Sequence, residues 1–127
     1  MQRVRFSNKL LWISAVLFFL LLVHSLIPLP QANASNCATV QGEIKNVKEG
    51  DGPGDVLISI SGDEGYYYIN RGLHNGIKLD VLTNQLMNKT AKVYYIKHWS
   101  LLNFNGKSRH VARIEIGEEL VYNEWNL

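Results

Sequence analysis

Beyond the first 34 residues, this chain could build a reactive centre or a metal site only from His74, His98, His110, Cys37 and its eleven acidic side chains. Zinc sites that can be read from a sequence place their ligands in closely spaced pairs. None of the three histidines or the cysteine forms such a pair, although His98 and His110 would approach if their strands were neighbours. Asp51 and Asp55 lie in GDGPGD, but calcium loops carry more acidic ligands and a distal glutamate at fixed spacing. That segment reads as a turn. No complete phosphate loop is present: the chain lacks Gly-x-Gly-x-x-Gly, and Gly106-Lys107-Ser108 has Leu101 where the leading glycine of Gly-x-x-x-x-Gly-Lys-Ser/Thr would stand. A serine nucleophile would need a Gly-x-Ser-x-Gly elbow, which is also missing. Cys37 stands near the start of the domain, where a nucleophile is hard to position. The expectation is no catalytic residue, no metal and no cofactor.

Binding chemistry has better raw material. No acidic residue occurs between Val81 and Ile114, whereas Lys89, Lys92, Lys97, Lys107, Arg109 and Arg113 all do. Residues 43–64 show the reverse, with Glu43, Glu49, Asp51, Asp55, Asp63 and Glu64 against Lys45 and Lys48. Tyr94, Tyr95, Trp99 and Phe104 are interleaved with the basic stretch. On an extended strand Arg109 and Arg113 fall on one face, opposite Ala112 and Ile114. Lys97, Trp99, Arg109 and Arg113 are therefore candidate contacts for an anionic ligand, using charge and stacking. Arg71, a single cation between apolar segments, is a fifth. Solvated lysines guarding strand edges and ordinarily packed tyrosines account for the same pattern. Asn88-Lys89-Thr90 matches a glycosylation sequon, a pattern common by chance and relevant only in a eukaryotic secretory pathway.

Residues 1–34 divide from the rest. Arg3, Arg5 and Lys9 precede fourteen uncharged residues, 10–23 (LLWISAVLFFLLLV). Pro28 and Pro30 then break the helix, and Ala32-Asn33-Ala34 offers small residues where a signal peptidase reads. The order is that of a secretory signal. A retained anchor over residues 10–29 is the alternative, although it must include His24, Ser25 and Pro28 to reach about 20 residues. Either way the basic end stays inside and residues 35–127 are exported, periplasmic or extracellular. Membrane contact follows if the segment is uncleaved. Without the three leader cations, the remainder carries one more acid than base, which argues against nucleic acid as a partner. Cys37 has no partner for an internal disulfide, and Asn36 and Ala34 do not fit a lipidation signal.

The elements that would position these groups are short strands. Residues 38–48 alternate imperfectly around Gly42, which marks a bulge or a close backbone approach. Residues 55–61 (DVLISIS) alternate cleanly, and Gly62–Gly65 turns them into YYYIN as a hairpin. Leu79, Leu82 and Leu86 give the domain's single helical pattern, with Asn88 as a left-handed stop. Residues 91–99 and 109–116 read as two more strands, and a turn leads to a short sixth over residues 120–124. The order β-β-β-α-β-β resembles the OB-fold, a small five-stranded barrel, over residues 38–124. The segments YYYINRGL, KHWS and RHVARIEI are similar to those of small exported bacterial proteins without an assigned function, a resemblance that brings no active site with it. The fold class is thus mainly β with one short helix, an OB-like barrel behind an N-terminal apolar helix. Its expected function is an exported, non-enzymatic binding or interaction module. A membrane-anchored accessory subunit docking on an envelope protein is the runner-up, and a small hydrolase with an unrecognised site a distant third.

Overall fold

The computed structural model describes residues 7–98 and 103–125; Trp99 lies outside them. The first element, α1 (Asn8–Ser25), is capped by Ser7, whose hydroxyl accepts from the Leu10 amide at 3.3 Å. Its apolar side chains point in every direction and none is buried. By length and composition it is a candidate membrane span or signal. Its 18 residues cover about 27 Å, close to the ~30 Å of a bilayer's hydrocarbon core.

The barrel begins with β1 (Cys37–Glu49), a strand shared between two partners. Its first half pairs antiparallel with β4 (Thr90–Ile96), from Cys37 opposite Ile96 to Glu43 opposite Thr90. Its second half pairs antiparallel with β2 (Val56–Ile60), from Ile44 opposite Ile60 to Glu49 opposite Val56. One strand can serve both only by bending, and the bend falls at Gly42 and a bulge between Ile44 and Asn46. A Cβ on Gly42 would lie 2.6 Å from Ile60 Cγ2, so a side chain has no room there. The hairpin continues into β3 (Tyr66–Ile69). That strand then pairs in parallel with the start of β5 (Ser108–Ile116), Tyr68 standing opposite His110. With β4 antiparallel to β5, the circuit β1-β2-β3-β5-β4-β1 is closed. This is the expected OB-like barrel. One further strand, β6 (Glu119–Asn123), pairs with the later residues of β5.

Alternation along β2 and β3 supplies Val56, Ile58, Tyr67 and Ile69 to the interior, joined by Ile44, Val93, Val111 and Ile114 from the other barrel strands. The helix α2 (Leu79–Leu86) adds Leu82 and Leu86 to this core and closes one end of the barrel. Asn88 follows it with φ of 59°, the left-handed stop expected from the sequence. At the far end the closing group is polar. Arg109 lies over the rings of Tyr67 and Tyr95, at 5.1 and 5.0 Å, and donates to the Tyr67 hydroxyl and to Asp63.

The shared face expected for Arg109 and Arg113 is not found. The register of β4 on β5 slips between Tyr94 and Tyr95, so Tyr94 stands opposite Arg113 but Tyr95 opposite Val111. Ala112 is the extra residue. A bulge of this kind breaks the in-out alternation. Arg109 therefore turns to the interior end, while Arg113 lies outside over Trp125 at 4.8 Å.

Candidate functional site: a cleft beneath the linker

The outer face of β4 and β5 is apolar where Ile96 and Ala112 emerge, so it must be covered. The cover comes from the residues that follow α1. Ala32 is only 7% exposed and packs with Ile96 and Ala112, while Leu29, Cys37 and Trp125 close in around them. A turn secures this strap to β1. The Asn33 side-chain oxygen accepts from the amides of Ser35 and Asn36, at 2.9 and 3.1 Å, and the Asn36 side-chain amide donates to Gln31 O at 2.7 Å. The Lys97 amide then donates to Asn36 O at 2.9 Å, joining the strap to the end of β4.

Two cavities open beneath the strap, of about 450 and 270 Å³. The larger is walled by residues 29–32, Asn70, Ile96, His110 and Glu124. The smaller runs from Ser25, Ile27 and Leu29 on the linker side to Tyr68, His98, Asn103, Ser108 and His110 on the barrel. Leu29, Ile96 and His110 border both, so the two cavities adjoin and together form the cleft beneath the strap. Its size is that of small-molecule sites.

His110 is the centre of this cleft. It is 8% exposed, its Nε2 lies 2.7 Å from a Glu124 carboxylate oxygen, and the Tyr68 ring stands 5.5 Å away. Glu124 is placed by its own amide, which donates to Ala112 O at 2.7 Å. In the neutral ring, a proton on Nε2 donates to Glu124 and leaves Nδ1 as an acceptor. Nδ1 is buried with no partner among the described residues. An unsatisfied polar atom of this kind costs about 1–3 kcal/mol, which a donor reaching it would recover. Asn103, by contrast, is consumed structurally: its side chain donates to Ser108 O at 2.7 Å and accepts from the Ser108 amide at 3.0 Å. Burial pushes the Tyr68 hydroxyl above its ordinary range, so it stays a neutral donor.

The residues singled out from sequence are scattered. Arg71 is exposed with φ of 49°, held by its amide donating to Asp55 at 2.7 Å. Lys97 is exposed beside the strap. Arg109 caps the barrel end with Asp63, each keeping 26% of its side chain exposed. Arg113 donates from Nε to Glu115 at 2.6 Å, and Glu115 also accepts from the Tyr94 hydroxyl at 3.0 Å. Burial works against the Glu115 charge, but the Arg113 and Tyr94 hydrogen bonds outweigh it and hold the carboxyl below its usual range. Two of these four cations are thus neutralised internally, and the four do not converge. Sequence reasoning missed Tyr68 and Glu124 as site residues and treated Leu29 and Ala32 as leader. One signal was present: Val111 and Ala112 are adjacent and both apolar, so the strand needs cover on both faces.

Fold and cleft together define an OB-like barrel with a small-molecule-sized recess sealed by its own N-terminal linker. Comparison with known proteins finds no matching family model, curated protein or solved structure.

Proposed function

We propose that this chain is an exported binding module, held at the far face of a membrane by α1, with the cleft around His110 as its binding site. The single observation that carries this is the strap. Leu29 and Ala32 pack on the barrel's outer cluster and wall the cleft, so the residues after α1 belong to the folded domain. A cut after Ala34 would remove one wall of the recess and uncover Ile96 and Ala112. That consideration favours the anchored form, whereas Ala32-Asn33-Ala34 favours the cleaved one. Binding is preferred to catalysis because the strongest charged groups are spent on internal pairs, Arg109 with Asp63 and Arg113 with Glu115. An accessory subunit docked on an envelope protein shares the anchor and differs in its partner.

The test is the intact mass and N-terminal sequence of the product recovered from membranes. A chain that retains residues 7–34 and stays with the membrane after a high-salt wash is the expected result. A soluble product beginning at Ser35 would remove the anchored form, and full-length protein dissolved in the cytoplasm would remove export altogether.

A further inference from the structure

The geometry points to a membrane lipid with an uncharged, hydroxyl-bearing head group, such as a neutral glycolipid, as the occupant of the His110 cleft. This rests on the anchored reading above. The first support is position. The smaller cavity is walled by Ser25, the last residue of α1, and by Ile27 and Leu29 just beyond it. Only three residues, 26–28, separate the helix from the strap, and Leu26 and Ile27 are exposed. With α1 in a bilayer, the mouth of the cleft lies at the level where head groups leave the hydrocarbon. A ligand entering there can keep its tails beside α1, every residue of which is unburied in the chain itself.

The second support is the chemistry of the walls. Among the described residues no lysine or arginine lines either cavity, so they offer a phosphate no counter-charge. The Glu124 carboxylate in the wall would repel it. What the walls offer is hydrogen bonding from Tyr68, His98, Ser108 and Asn70, with an aromatic ring at Tyr68 and apolar contacts from Ile27, Leu29 and Ile96. A sugar ring matches this combination, since it presents hydroxyl groups at its rim and an apolar face to an aromatic ring. The third support is His110, which borders both cavities and whose buried Nδ1 has no partner among the described residues; a ligand hydroxyl, able to donate or accept, would satisfy it on reaching it.

The experiment titrates full-length protein in detergent micelles with three probes: a short-chain glucosyl diacylglycerol, phosphatidylglycerol with the same tails, and methyl glucoside. The glycolipid should bind at least tenfold more tightly than either of the others. Tyr68→Ala and His110→Gln should each weaken it tenfold or more, as should Leu29→Trp, which narrows the mouth from the strap side and leaves every barrel residue unchanged. Equal or tighter binding of phosphatidylglycerol overturns the head-group assignment. Equal binding of methyl glucoside overturns the lipid source, and glycolipid binding indifferent to all three variants overturns the cleft. If membranes yield the full chain and it ignores the glycolipid, this inference alone fails; if they yield only the product starting at Ser35, the anchored reading fails with it.

Discussion

Tyr67 shows how much one residue can hold when the core reaches a barrel's end. Its ring is buried, while its hydroxyl donates to Asp63 at 2.8 Å and accepts from Arg109. Burial, with Asp63 as acceptor, pushes the hydroxyl from 10.0 up to about 12. A folded-state value above the unfolded one means that the native chain keeps a proton the unfolded chain has released. This contribution is complete below pH 10 and disappears as the pH climbs from 10 towards 12. Asp63 has the opposite sign. Burial alone would raise it, but the Gly65 amide, the Tyr67 hydroxyl and Arg109 hold it below its ordinary range. Its contribution is present at neutral pH and lost as acid protonates it below the usual carboxylate range. Urea midpoints measured against pH should therefore fall at both extremes, with Tyr67→Phe flattening the alkaline arm and Asp63→Asn part of the acid arm. Asp63→Asn should also cost about 1–3 kcal/mol at neutral pH, since it strips Arg109 of its counter-charge. Little of this was legible beforehand. Arg109 stood out as a cation, but Asp63 is 46 residues away in sequence, so no local spacing announced that the pair would close a barrel rather than meet a ligand.

At the scale of elements, period and turn chemistry were enough. The alternation of residues 55–61, a strand over residues 109–116, the Gly62–Gly65 turn and the leucines of α2 each reappear where local pattern places them. What pattern could not supply is the extra residue at Ala112, because a bulge depends on the partner strand as much as on its own sequence. The bend of β1 is the element on which closure depends, and it makes its own prediction. Gly42→Ala puts a methyl against Ile60 and should cost about 1–3 kcal/mol by overpacking. Adding Ile60→Ala, which removes the Cγ2 that the new methyl would meet, should cost less in the Gly42→Ala background than in the native one. Urea unfolding of the four proteins in this double-mutant cycle measures the coupling. Strictly additive penalties would mean that the contact at the bend is not what excludes a side chain from position 42.

For the molecule as a whole, the question is whether the strap is a separable cover or an integral layer of the barrel. Its attachments are local: Leu29 and Ala32 on the outer cluster, the Asn33 turn, and the Lys97 amide on Asn36 O. None of them reaches the interior core, which is filled from β1–β5 and α2 and touched by β6. Local opening of the strap should thus cost far less than global unfolding. Leu29→Asp isolates this difference, because it removes an apolar contact of the strap without altering any barrel residue. The loss of that partly buried side chain is worth about 1–2 kcal/mol, or roughly tenfold in the opening equilibrium. Hydrogen exchange should show Lys97 losing protection by about that factor, while the Ile44 amide, which donates to Lys89 O in the core, keeps its native rate. Limited proteolysis should begin within residues 30–36 in the variant and spare the barrel. Equal loss of protection at Lys97 and Ile44 would instead make strap and barrel a single cooperative unit, and the linker could then no longer be displaced to admit a ligand while the domain stays folded.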